Sequence, residues 1–343
     1  MAITSTKNIP LAPLTTIKLG GNAQEYISCS TNQEILDALL YAKEHSLRAH
    51  VLGGGSNSIF ADAGFNGLVI HIQTKGIEMK ADGDSVLVTA AAGELWDDVV
   101  RYAIANNLTG IECLSGIPGS CGGTPFQNVG AYGQEVAQTI SYVDAINRES
   151  LESVRFTNQE CHFAYRTSRF KEQDFNKYIL TSVTFTLIPN GKPNIRYGEL
   201  SSLVSGTSSL EDIRNAVLSL RKKKSMLVDL QDPNSVSCGS FFTNPIISKA
   251  QLKNIQEKTG EEIPSYDSGE DATKLSAAWL VEHAGFTKGT TRGNVGISTN
   301  HSLALINKGG TTQELLAFAL EIQTAVTNKF GINLVLEPLV IPS

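Results

Sequence analysis

The sequence predicts an α+β fold. Short β-rich runs, Leu68–Ile72, Val86–Ala90, Ile140–Ala145 and Ile179–Leu187, recur through the middle of the chain. Amphipathic helical stretches are few and do not alternate regularly with these runs. Two Thr-x-x-Glu sequences, Thr31–Glu34 and Thr311–Glu314, have the form of capping boxes that open helices.

The chain opens with an extended segment containing Pro10 and Pro13, followed by Thr15–Ala23. After the first capping box, Ile35, Leu36, Leu39 and Leu40 recur at helical spacing. His50–Leu52 then reads as the end of a buried strand running into Gly53-Gly54-Gly55-Ser56-Asn57, so this part is strand–helix–strand. Consecutive glycines allow positive φ and close approach of backbone N–H groups to an anion. They also punctuate ordinary turns, and this stretch lacks the residues of a Rossmann or Walker motif. A helix over Glu94–Asn106 has Leu95, Val99, Tyr102 and Ala103 on one face.

Ile111–Glu135 is rich in glycine and proline but poor in charge. It breaks helix, yet is too apolar for a solvated linker, which suits a folded loop lining a ligand. Beyond a turn at Pro189–Lys192 comes a helix, Leu210–Lys223, with Ile213, Val217 and Leu220 on one face. Its basic end, Arg221–Lys224, suits either the helix C-terminus or an anionic ligand. Ala272–His283 reads as another helix. The second capping box starts a third, with Leu315, Ala319, Ile322 and Val326 inward and Gly331 at its end, followed by a terminal strand Asn333–Val340.

A length of 343 residues suits two or three domains, and 41% hydrophobic with 18% charged residues is ordinary for a globular chain. A net charge of −6 argues against a nucleic-acid binder and favours small-molecule partners. Cys29, Cys113, Cys121, Cys161 and Cys238 show no C-x-x-C pair, which suits free thiols in a reducing compartment. The six histidines lie singly, so no metal site is expected. The chain has no apolar run near the ~18 residues of a membrane span and no leader-like start, so a cytoplasmic protein without a membrane partner is expected.

The segments V-L-G-G-G-S-N, G-I-P-G-S-C-G-G-T-P-F-Q-N-V-G-A-Y-G, F-A-Y-R-T-S-R-F, S-C-G-S-F-F-T-N-P and L-V-L-E-P, in this order between Val51 and Pro338, resemble the UDP-N-acetylenolpyruvoylglucosamine reductase family. The resemblance implies an FAD-binding domain of the vanillyl-alcohol-oxidase (PCMH) type in two subdomains, 1–66 and 67–204, and a C-terminal α+β substrate-binding domain, 205–343. It implies non-covalent FAD, NADPH as co-substrate and the enolpyruvyl ether of UDP-N-acetylglucosamine as substrate, in peptidoglycan precursor synthesis; a monomer is expected, although the sequence does not itself give the oligomeric state.

By the same resemblance, Gly53, Gly54, Gly55, Ser56 and Asn57 hold the FAD pyrophosphate together with Gly119, Ser120, Gly122 and Gly123. Gln127, Asn128, Gly130 and Gly133 line the cofactor, and Arg221 meets its phosphate. Arg166 meets the substrate carboxylate, for which its planar, permanently charged fork is suited. Ser240 matches the proton donor; serine is a weak acid and needs positioning and a neighbouring cation. Glu337 matches an active-site glutamate, where growing negative charge calls for its protonation or for a bridging water or cation. Lys224 and Asn244 match residues at the substrate's phosphates and UDP portion. His301 lies in the corresponding substrate loop, and Tyr197 matches a loop that folds over substrate in the longer subtype. Cys121 and Cys238 stand where the family often has small aliphatic residues, which packing tolerates and which also raises a thiol liability near the active site. Two rivals are a flavin-dependent alcohol or sugar oxidase and a non-catalytic UDP-sugar-binding protein. Neither glycine segment contains the histidine to which many such oxidases attach FAD, and retention of Arg166, Ser240 and Glu337 argues against lost chemistry.

Overall fold

In the computed structural model, which describes residues 3–193, 195 and 198–343, both capping boxes form. Thr31 Oγ1 accepts from the Glu34 N–H at 3.2 Å, and Glu34 Oε2 accepts from the Thr31 N–H at 3.2 Å, opening α1 (Asn32–Glu44). Ile35, Ala38, Leu39 and Ala42 form its buried stripe, and Leu40 is exposed. The remaining helices are α2 (Trp96–Ala105), α3 (Gly198–Ser201), α4 (Leu210–Lys223), α5 (Lys249–Thr259), α6 (Ala277–His283) and α7 (Thr312–Phe330). In α2 the buried face is Trp96, Val99, Val100, Ala103 and Ile104, whereas Leu95, expected inside, is exposed.

The strands of the first half are β1 (Thr6–Pro10), β2 (Asn22–Cys29), β3 (Ala49–Leu52), β4 (Ser58–Phe60), β5 (Phe65–Ile72), β6 (Ile77–Asp82) and β7 (Ser85–Ala91). Then come β8 (Leu108–Thr109), β9 (Gly130–Ala131), β10 (Gln134–Glu135), β11 (Ile140–Asn147), β12 (Ser153–Thr157) and β13 (Tyr178–Pro189). The rest are β14 (Ser237–Ser240), β15 (Ile246–Ser248), β16 (Ser265–Asp267), β17 (Ala272–Leu275), β18 (Thr291–Arg292), β19 (Val295–Ile297), β20 (Ala304–Asn307) and β21 (Leu339–Ile341).

The first of two units comprises the N-terminal residues through Ile9, Ala23–Gly55 and Asn66–Lys223. It holds a sheet of order β1-β2-β5-β3, with β3 and β5 parallel, and a sheet of order β12-β11-β13-β7-β6, with β8 also paired to β13. Alternation along β13 turns Ile179, Val183, Phe185 and Leu187 inward. Val183, Phe185 and Leu187 meet Trp96, Val99 and Val100 of α2 in one core. Trp96, fully buried, also satisfies its indole by donating to the Leu114 carbonyl at 3.0 Å, which brings the charge-poor loop onto the helix.

The second unit comprises Pro10–Asn22, Ser56–Phe65 and Lys224–Ser343. Its sheets have the orders β14-β20-β19-β18, β15-β17-β16 and β21-β4, the last pair parallel. Leu315, Phe318, Ala319, Ile322 and Val326 of α7 pack with Phe241, Phe242, Leu280 and Ile297, and Ile17, Leu19 and Ile59 from the early chain join them.

Two expectations are corrected. Ala272–His283 is not one helix: Ala272–Leu275 is the middle strand of its sheet, and Ser276 starts α6 by accepting the Trp279 N–H at 3.3 Å. Cross-strand pairing outweighs local helical periodicity there. In the terminal segment only Leu339–Ile341 is strand, with Leu336 in an isolated bridge to Phe242. The two units also cut across the expected ranges 1–66, 67–204 and 205–343. Helix α4 belongs to the first unit because Ile213, Val217 and Leu220 pack on Cys113 and Leu200, and residues 10–22 and 56–65 belong to the second. Among the described residues no helix is long and apolar enough to cross a membrane, and no group of His, Cys, Asp and Glu is placed to hold a metal ion.

Candidate active site

The glycine stretch begins where β3 ends, and Gly55 adopts φ 63°, which a residue with a Cβ rarely takes. Against it lies the second glycine segment. The Gly54 N–H donates to Ser120 Oγ at 3.2 Å across 66 residues of sequence. A Cβ added at Gly53 would stand 2.4 Å from Ser120 Oγ, and one at Gly54 would stand 2.6 Å from the Gly119 backbone. Both glycines therefore serve a close backbone approach, and the two segments expected to grip one pyrophosphate touch each other. At Gly123 the nearest atom to an added Cβ would be Ser120 Oγ at 4.0 Å, so that position opens onto free space. A phosphate-bearing cofactor fits this arrangement: a bare-backbone cradle with unobstructed room beside it.

The second segment is held by the start of α2. The Trp96 N–H donates to the Gly119 carbonyl at 3.0 Å, and the Cys121 and Gly122 N–H groups donate to the Glu94 and Ala92 carbonyls at 2.8 and 2.9 Å. Gly122 has no room for a Cβ, which would meet Ala92 at 2.6 Å. Further on, β9 and β10 form a hairpin whose turn residues, Tyr132 (φ 48°) and Gly133 (φ 85°), both have positive φ. Asn128 is buried and engaged by the protein itself: Oδ1 accepts from the Ala137 N–H at 3.1 Å, and Nδ2 donates to Glu135 Oε2 and the Ala164 carbonyl at 2.9 and 3.0 Å. Its side chain shapes the loop. Gln127 is half-buried in the same loop.

Arg166 sits in a tight turn closed by mutual backbone hydrogen bonds of Ala164 and Thr167. Its φ of 55° is left-handed, a strain of about 1–2 kcal/mol for a residue with a Cβ. Strain of this kind marks positions where placement matters. Nη2 donates to the Gly130 carbonyl at 2.7 Å, the guanidinium lies 5.2 Å from the Tyr165 ring centre, and the side chain remains half-buried. Gly130 is glycine partly because a Cβ would stand 3.1 Å from Arg166 Nη1. Arg221 is buried, and its Nε donates to the Gly116 carbonyl at 3.1 Å. Burial lowers its pKa, with Tyr132 and Asp97 opposing. Lys222 and Lys223 are exposed, and Lys224 is half-buried.

In the second unit, Ser240 ends β14 just after Gly239 (φ 75°) and before the buried pair Phe241 and Phe242. The Glu337 N–H donates to the Phe241 carbonyl at 2.9 Å, and Thr243 N–H to Val335 O at 3.0 Å. Ser240 and Glu337, distant in sequence, thus lie on adjoining segments. Asn57 clamps the Glu337 segment: its Nδ2 donates to the Glu337 carbonyl at 3.2 Å, and its own carbonyl accepts from the Leu339 N–H at 2.9 Å. Ser56 precedes it, half-buried, with its carbonyl near Thr16 Oγ1. Asn244 Oδ1 accepts from the Ala277 N–H at 2.9 Å and so helps cap α6. His301 Nδ1 accepts from the Leu303 N–H at 3.1 Å. Tyr197 lies outside the described residues.

The expected thiol liability is not found. All five cysteines are buried, and burial pushes the Cys238 thiol up to about 12 and raises that of Cys121 too.

An FAD binding domain model matches residues 23–150, and a model of the C-terminal domain of UDP-N-acetylenolpyruvoylglucosamine reductase matches residues 231–341. UDP-N-acetylenolpyruvoylglucosamine reductase from Thermobifida fusca is 42% identical over 355 residues, covering 99% of each chain. The chain belongs to the UDP-N-acetylenolpyruvoylglucosamine reductase family. The enzyme of that name from Streptomyces avermitilis is 43% identical over 97% of this chain and 93% of its own. The crystal structure of the Thermus caldophilus enzyme, 23% identical, shares the fold with a TM-score of 0.67, covering 99% of this chain and 100% of its own. The protein is accordingly an FAD-dependent oxidoreductase.

Sequence reading missed Asp97, Arg214, Glu112 and Gln134. Glu112 is fully buried and accepts from the Gly110 N–H at 2.7 Å and Gln134 Nε2 at 2.9 Å, while Gln134 Oε1 accepts from the Cys113 N–H at 2.8 Å. A carboxylate at the head of so apolar a loop was the available signal.

Proposed function

We propose that the protein reduces the enolpyruvyl ether of UDP-N-acetylglucosamine to UDP-N-acetylmuramate with NADPH, in peptidoglycan precursor synthesis. One observation carries this proposal: in a chain related over its whole length to reductases of that name, two glycine segments 66 residues apart meet backbone to backbone. In the proposal Gly53–Gly55 and Gly119–Gly123 hold the cofactor pyrophosphate, with Arg221 as its cation.

When held by Gly53–Gly55, Gly119–Gly123 and Arg221, FAD would supply the hydride chemistry that links NADPH to the substrate's methylene carbon. Arg166 pairs its fork with the substrate carboxylate and stabilises the charge that collects there and on the neighbouring carbon. Its bond to the Gly130 carbonyl and its strained turn hold the guanidinium in one orientation. Ser240 Oγ delivers a proton to that neighbouring carbon, which leaves product with one added hydride and one added proton. Glu337, on the adjoining segment, acts in the same step. Lys224 binds the phosphates of substrate and NADPH in turn, and Asn244, His301 and Tyr197 contact the UDP-sugar. The proposal takes the enzyme as a cytoplasmic monomer without nucleic-acid or membrane partners.

The test separates the two half-reactions. NADPH should bleach the yellow protein without substrate, and the enolpyruvyl sugar should restore the colour anaerobically. Ser240→Ala should leave bleaching intact and slow the recovery by at least about 100-fold, the usual range for a lost proton donor. Recovery only with oxygen would point to an oxidase, and equal loss of both phases would remove Ser240 from its role.

A further inference from the structure

Gly116 stands at the entry to the second glycine segment, in the left-handed region at φ 71°. Its peptide groups are gripped from two sides. The Gly116 N–H donates to Asp97 Oδ1 at 2.6 Å, and the Gly116 carbonyl accepts from Arg221 Nε at 3.1 Å. Asp97 lies in the first turn of α2 and receives a second partner from α4: Arg214 donates through Nη1 to Oδ1 at 2.7 Å and through Nη2 to Oδ2 at 2.6 Å. The Arg214 and Asp97 side chains are only 10% and 31% exposed, so the pair is shielded enough to hold one geometry. Arg221, about two helical turns after Arg214 on α4, shares the electrostatic field of Asp97.

We propose that Asp97 and Arg214 are positioning residues for the cofactor's phosphates: the ion pair ties α4 to α2 and fixes the Gly116 peptide, and through it the Gly119–Gly123 segment. The inference rests on the proposed phosphate role of that segment. Asp97 and Arg221 thus hold the two backbone polar groups of Gly116, and Arg214 holds Asp97. Asp97 thus has two effects. Its hydrogen bond sets where the loop starts, and its charge holds Arg214 so that α4 presents Arg221 at Gly116. Neither residue touches the ligand in this account.

The test compares FAD with riboflavin, which has the same ring system but no phosphate, by titrating each into flavin-stripped protein and following flavin fluorescence. The wild type should prefer FAD strongly. Asp97→Asn, nearly isosteric, should weaken FAD by about 10- to 100-fold, the equivalent of one charged hydrogen bond, and change riboflavin affinity by less than about 2-fold. Arg214→Lys keeps the charge but not the fork and should give a smaller loss of the same selectivity; it carries the test if Asp97→Asn fails to fold. Parallel losses for both flavins, or an unchanged FAD affinity in both variants, would overturn the proposal while leaving the phosphate segment in place. A wild type with no preference for FAD would remove the phosphate reading itself.

Discussion

Replacing Gly54 and Gly123 by alanine, one at a time, separates two reasons for having glycine in the cradle. At Gly54 the new Cβ would stand 2.6 Å from Gly119 Cα and C and 2.8 Å from Ser120 N. Ordinary carbon contacts lie at about 3.5–4.0 Å, so the two segments must part by roughly 1 Å. No rotamer relieves a clash with backbone, and overpacking of this kind costs about 1–3 kcal/mol. At about 2–4 °C per kcal/mol for a domain of 150–250 residues, flavin-stripped Gly54→Ala should melt several degrees below wild type. Parting the segments should also cost FAD affinity by about 10-fold or more, since each charged hydrogen bond contributes about 1.5–3 kcal/mol. Gly123 is different. Its φ is not in the positive range, and an added Cβ would come no nearer than 4.0 Å to the protein. Gly123→Ala should therefore leave the stripped protein's melting temperature unchanged, or raise it slightly through the less flexible unfolded chain. It should nevertheless weaken FAD if, as proposed, that space takes the cofactor's phosphates. Differential scanning fluorimetry and flavin titration read the two effects. A normally melting Gly54→Ala, or a Gly123→Ala that binds FAD with wild-type affinity, would refute the reasoning.

Burial, with Arg148 adding to it, lowers the His50 pKa to about 4 in the strand that leads into the cradle. The unfolded chain binds a proton near pH 6.5 that the folded chain refuses until about pH 4, so stability falls as pH drops through that window, by at most about 1.4 kcal/mol per pH unit. His50→Gln should flatten that slope in urea melts recorded from pH 7 to 4. Arg166→Lys keeps a cation but loses the planar fork. The substrate half-reaction should slow at least about 10-fold while reduction by NADPH stays near wild type, since in the proposed function the fork pairs with the substrate carboxylate and not with NADPH. The buried cysteines, whose thiols at Cys29, Cys113, Cys161 and Cys238 are pushed up to about 12, should resist a thiol reagent in native protein and all react after unfolding.

Local interactions were legible directly. Thr31–Glu34 and Thr311–Glu314 cap their helices because a capping box is completed within four consecutive residues, whatever lies beyond. The inward stripe of α7 and the glycine stretch at the end of β3 follow equally from short-range spacing and backbone freedom. The resemblance carried by five ordered segments named the family. Helical spacing misled at Ala272–Leu275, where two neighbouring strands supply the backbone partners.

Long-range pairings depended on the assembled chain. Nothing near Gly54 in sequence requires Ser120 as its partner, nothing near Asp97 requires Arg214, and nothing near Ser240 requires the Glu337 segment beside it. The same holds for the division of the chain, in which α4 leaves the C-terminal residues and residues 56–65 join them through the parallel pairing of β4 with β21. A sequence states which residues can bend, cap or carry charge, because those are properties of each residue and its immediate neighbours. Which of them meet is decided by burial of the α2, α4 and α7 faces, and only that burial brings the two glycine segments into one cradle.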